Sequence, residues 1–134
     1  MTDFQGIELT KERPHIVTLV GSSRFCAHMA VMAWEFEKGG RIALGLHLLP
    51  QDYCEQKGMV PDENGHIHHI GEQEGVEDQM DALHFKKIEM ADSIYVMNVD
   101  GYIGKSTARE IAYAESLGKP ISYYEEVAAG EYLG

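Results

Sequence analysis

The stretch Ser93-Ile94-Tyr95-Val96-Met97-Asn98-Val99-Asp100-Gly101-Tyr102-Ile103-Gly104-Lys105-Ser106-Thr107 decides the fold. Its first seven residues are almost continuously apolar, with no regular polar alternation. That pattern predicts a strand covered on both faces, 93–99. Gly101 to Gly104 then reads as a loop, and Ser106 to Leu117 as a helix with Ile111, Ala114 and Leu117 inward and Gly118 as its stop. A strand that runs through a glycine loop into a helix is half of a βαβ unit.

Working outward, the same grammar recurs. Ile16-Val17-Thr18-Leu19-Val20 is a second buried strand, ending at Gly21. Ser22-Ser23 can cap the helix that follows, in which Phe25, Met29, Met32 and Phe36 recur at helical spacing before Gly39-Gly40. Ile42 to Leu49 is a third apolar segment, closed by Pro50. Val76, Met80, Leu83, Phe85, Ile88 and Ala91 predict another helix, and Pro120-Ile121-Ser122-Tyr123-Tyr124 a last strand. Four strands alternating with helices imply crossover connections, hence a small α/β, three-layer open parallel sheet in one domain, 1–134. Such sheets bind ligands beyond the carboxyl ends of their strands. The two loops expected to carry chemistry are therefore Gly21 to Phe25 and Asp100 to Glu110.

Composition narrows the class. The 134 residues hold 22 acids against 11 lysines and arginines, a net charge of -11. A basic surface is needed to bind a phosphate polymer, so no nucleic acid polymer is expected as partner. The same sign disfavours an anionic membrane, and no apolar run is long enough to span one. The polar N-terminal stretch to Arg13 has no secretory apolar region. With only Cys26 and Cys54, the chain reads as reduced and cytoplasmic. Nine of the acids and one lysine, Lys57, fall between Gln51 and Asp81. Residues 51–75 read as a long acidic connection with little periodicity, either functional or simply mobile. His66, His68 and His69 lie within it, with Cys54 and Asp62 near, but no zinc-ligand spacing is present. Neither a metal nor a cofactor is expected.

Each chemical loop has two readings. Gly21 permits close backbone approach, while Ser22, Ser23 and Arg24 add donors suited to phosphate at a helix start. The plain alternative is a glycine turn, a serine cap and a surface arginine. Neither a phosphate loop of nucleotide hydrolases nor Gly-x-Gly-x-x-Gly is present. In the second loop, Glu110 can face a sugar as nucleophile, yet Thr107-x-x-Glu110 is also a capping box. Tyr102 can stack on a base or merely pack, and Trp34 is a weaker stacking surface.

The quoted loops, with Leu83-His84, Met90-Ala91-Asp92, Ala108 to Ala114 and Gly118-Lys119-Pro120, resemble the nucleoside 2-deoxyribosyltransferase superfamily. They are still more similar to its small nucleotide N-hydrolase relatives and to a bacterial branch. The similarity runs from Ile16 to Tyr124, interrupted by the acidic connection. It implies a flavodoxin-like homodimer or higher homo-oligomer that cleaves or transfers an N-glycosidic bond of a nucleoside or nucleoside 5′-monophosphate. It places the catalytic glutamate on Glu110, the phosphate or sugar loop on Gly21, Ser22, Ser23 and Arg24, and the contact to the 5′ end on Gly104, Lys105 and Ser106. Where relatives carry an aspartate ahead of the Ala-Asp pair, this chain has His84; Asp81 lies three residues upstream. His84 or Asp100 is then expected to assist departure of the base. The competing expectation is a non-catalytic nucleotide-binding or sensory module using the same anion sites.

Overall fold

A computed structural model describes residues 3–61, 63 and 70–126. An exposed hairpin comes first, β1 (Asp3–Phe4) paired antiparallel with β2 (Ile7–Glu8). Its two turn residues, Gln5 and Gly6, both have positive φ, as a tight two-residue hairpin requires.

The body is α/β. A four-stranded sheet is formed by β3 (Ile16–Val20), β4 (Ile42–Leu44), β5 (Ser93–Val96) and β6 (Ile121–Tyr123), all parallel, in the order β4-β3-β5-β6. Every residue of β3 is buried, as its unbroken apolar run predicts. Its side chains alternate between two clusters. Ile16 and Val20 join Ile88, Ala91, Ile94, Val96, Ile111 and Ala114, whereas Leu19 joins Phe25, Cys26, Met29 and Met97. The helices that flank the sheet are α1 (Cys26–Lys38), α4 (Glu77–Met90) and α5 (Lys105–Ser116). Helix α1 supplies the second cluster; α4 and α5 supply the first.

Several boundaries depart from the sequence expectation. Strand β4 stops at Leu44, well short of Leu49. The carbonyl of Gly45 accepts from Lys87 Nζ at 2.7 Å, and the chain then leaves the sheet. Strand β5 ends at Val96 rather than Val99, because Asn98 turns its amide onto the backbone of Glu125, with bonds of 3.0 and 2.8 Å. A 3-10 turn, Ser23–Phe25, precedes α1, capped by Ser22 Oγ accepting from Arg24 N–H. Within the acidic connection stand two short helices, α2 (Gln51–Gln56) and α3 (Ile70–Gln73). Each is too short to show a helical period, which is why the sequence reads as a loop there. Cys54 and Met59 are nonetheless buried. Of the expected inward residues, Met80, Leu83 and Leu117 are exposed. The core stripe of α4 is instead His84 and Ile88, with Phe85 half-buried. No helix among the described residues is long and apolar enough to cross a membrane.

The strand order reverses between the neighbours β3 and β5: β3 leads through α1 to β4 on one side, and β5 through α5 to β6 on the other. The carboxyl ends of β3 and β5 therefore lie side by side. At the amino ends the chain is pinned by Asp92. Its Oδ2 accepts from Ile16 N–H at 2.8 Å and from Arg13 Nη1 at 2.9 Å, while Oδ1 accepts from Arg13 Nη2 at 3.0 Å. These bonds, led by the Arg13 guanidinium, hold the Asp92 carboxyl well below the usual carboxylate range. His15 finds Ser93 Oγ at 2.7 Å. Lys119 Nζ closes the end of α4 by donating to the carbonyls of Glu89 and Ala91.

Candidate functional site

At the strand-order reversal lies a cleft of about 330 Å3. The turn after β3 contributes Gly21, Ser22 and Ser23 to its lining. The loop after β5 and the start of α5 contribute Tyr102, Gly104, Lys105, Ser106, Thr107 and Glu110. The two loops singled out from the sequence thus meet in one place, as the reversal of strand order in a parallel sheet dictates.

Local geometry explains several of these residue types. A Cβ on Gly21 would sit 3.0 Å from the carbonyl oxygen of Met97 and 3.1 Å from its Cβ, so the residue just after β5 leaves a side chain there almost no room. Gly104 is the N-cap of α5, and a Cβ there would stand 3.2 Å from the Tyr102 hydroxyl. Arg24 is exposed and lies outside the cleft lining, but its guanidinium stacks 4.2 Å from the Tyr102 ring centroid, with Nη2 3.4 Å from the hydroxyl. That contact ties the first loop to the second. Ser106 Oγ accepts from Arg109 Nη2 at 3.4 Å.

Glu110 sits in the second turn of α5. Because Gly104 is the N-cap and Thr107 is a buried residue inside the helix, Thr107 and Glu110 do not form a capping box. Glu110 Oε2 instead lies 3.0 Å from Nε2 of His84, with side-chain exposures of 14% and 6%. The two atoms are close but not aligned as a hydrogen bond. Both ring nitrogens of His84 and Oε2 of Glu110 are consequently buried without a hydrogen-bond partner. Leaving such a group unsatisfied costs about 1–3 kcal/mol, so a pair of this kind requires an explanation other than stability.

His84 does not line the cleft; it stands against Glu110 from α4. Asp100 is also outside the lining. It occupies a left-handed turn position, and its N–H donates to Glu125 Oε2 at 2.5 Å. Trp34 is exposed on α1, away from the cleft. Asp62, His66, His68 and His69 lie outside the described residues. Among the described residues, no group of three or more histidines, cysteines or acids is placed to hold a metal.

Apart from Asp81, the remaining lining was not anticipated. Leu46, Ile70, Gly71 and Glu72 come from the segment between β4 and α4, and Glu77, Met80 and Asp81 from α4. Asp81 and His84 are three residues apart on one helix, the spacing that puts them on neighbouring faces. For Ile70 and Glu72 no local signal exists, since only the folding back of the acidic connection brings them there. A broader surface hollow of about 440 Å3 runs over Glu72 and residues 75–79, sharing Glu72 and Glu77 with the cleft but offering neither hydroxyl nor cation. No protein-family model, no curated protein and no solved structure matches this chain.

Proposed function

We propose that this chain, a three-layer flavodoxin-like domain, cleaves or transfers the N-glycosidic bond of a nucleoside or nucleoside 5′-monophosphate, with Glu110 as nucleophile. One observation carries the reading. The Glu110 carboxylate opens on the same cleft as the Gly21-Ser22-Ser23 turn, while its Oε2 is backed by a buried, otherwise unpartnered His84. A cleft of about 330 Å3 is within the range of small-molecule sites.

In this reading the ligand's anionic end lies at Ser22, Ser23, Lys105 and Ser106, near the start of α5, with Arg24 and Tyr102 framing it. The sugar then lies over Glu110. A carboxylate oxygen attacks C1′, the C1′–N bond breaks, and its electron pair leaves with the base. Water, or a second base, then attacks C1′ and frees Glu110, so the configuration at C1′ is retained. His84 is the group that orients Glu110. The resemblance adds a homodimer or larger assembly, which sedimentation measures.

The test incubates the protein with nucleosides, deoxynucleosides and their 5′-monophosphates and follows free base by chromatography. Base release that Glu110→Gln abolishes is the expected result. Saturable binding without release would instead make this a nucleotide-binding or sensory module.

A further inference from the structure

The chemistry of the cleft's two sets of walls narrows the substrate class, and this step rests on the glycosidase reading. The turn after β3 and the start of α5 present Ser22, Ser23, Lys105 and Ser106. Helices α3 and α4 present Glu72, Glu77 and Asp81, interleaved with the apolar Ile70 and Met80. Glu77 and Asp81 are one helical turn apart and share a face of α4. Apart from Glu110 itself, the cleft therefore draws donors and a cation from one pair of elements and carboxylates beside apolar surface from the other.

The acids do not stand alone in this argument. His84, only 5% exposed, holds Nε2 3.0 Å from the carboxylate of Glu110, which lines the cleft, and neither ring nitrogen has a hydrogen-bond partner or solvent access. The imidazole thus serves the nucleophile and cannot reach a departing base. A neutral base must gain a proton as it leaves. A ring that already bears a formal positive charge need not: the electron pair of the breaking C1′–N bond neutralises it. Positive charge moves from the ring onto the sugar, next to Glu110. Water later attacks C1′, and its proton is released to solvent.

We propose that the cleft takes nucleotides whose base is cationic, an N-ribosylpyridinium or N-alkylpurinium, with Glu72, Glu77 and Asp81 facing the ring and the hydroxyls and Lys105 facing the phosphate. The acids act on binding of the cation, since they stabilise it before its charge is lost. Calorimetry on Glu110→Gln, which cannot turn over, compares nicotinamide mononucleotide with its uncharged dihydro form. The cation binds about tenfold tighter, a difference of about 1.4 kcal/mol. The double substitution Glu77→Gln/Asp81→Asn, at exposed positions, brings the ratio towards one. Equal or tighter binding of the dihydro form, or a preference that survives the double substitution, overturns the proposal. So does a fall in kcat on neutral substrates in Asp81→Asn, which would make Asp81 a proton donor. Wild-type turnover of cytidine 5′-monophosphate but not of nicotinamide mononucleotide sinks this inference and leaves the glycosidase reading standing. Failure to bind or cleave either sinks both.

Discussion

The two ends of the sheet treat polar groups in opposite ways. At the amino ends, Asp92 accepts from Arg13 and from the Ile16 N–H, His15 meets Ser93, and Lys119 closes the last carbonyls of α4. Each of these groups has partners, and each ties one chain segment to another. At the carboxyl ends, His84 and Glu110 are packed together at 3.0 Å with three buried atoms left without hydrogen bonds. Both ends bring together residues distant in sequence. Only the second leaves interaction potential unmet, and only the second borders a cleft. Saturated charge holds the fold; unsaturated charge is where a ligand has something to gain.

Substitutions at the two ends test that contrast. The largest effect belongs to Glu110→Gln, expected to lower base release by roughly a thousandfold or more while leaving the thermal midpoint nearly unchanged. Loss of activity accompanied by unfolding would show that Glu110 is structural, erasing the difference between the ends. Next, Gly21→Ala should cost about 1–3 kcal/mol in urea unfolding, because its methyl would crowd Met97, just after β5. An alanine protein as stable as wild type would mean the turn gives way and that its glycine serves the ligand alone.

Replacing both members of the buried pair, His84→Leu with Glu110→Leu, should leave stability unchanged or raise it by about 1–3 kcal/mol while removing activity. A clear loss of stability would place this pair in the same class as the Arg13–Asp92 clamp. At that clamp the expected sign is the reverse. The folded Asp92 carboxyl is held below its unfolded value, so its contribution is complete above about pH 4 and fades as the pH falls from there. Asp92→Asn should lower the urea midpoint near neutrality and flatten its decline in acid. If the acid limb keeps its slope, the clamp is not what the protein loses there.

Much of this was legible in the residues. The apolar runs at Ile16–Val20 and Ser93–Val96, each followed by a glycine-containing turn and a helix, specify parallel strands, because only a strand covered on both faces needs such continuity. Placing both loops at one edge follows from sheet topology. Helices α2 and α3 were not legible, since one turn carries no period. Nor were the exposed Met80 and Leu83, whose spacing suits a core they do not face.

The chain's residues by themselves determined that strands and helices alternate, which loops follow β3 and β5, and that Glu110 stands near one of them. They left Glu110 divided between helix cap and catalytic group, because Thr107-x-x-Glu110 satisfies both patterns locally. Tertiary structure decided between cap and cleft by starting α5 at Lys105, with Gly104 as its N-cap, and packing α4 against α5, which puts His84 beside Glu110. It also carried Ile70 and Glu72 back over the cleft. Such juxtapositions depend on how elements far apart in the chain bury their faces together, and no local spacing encodes that.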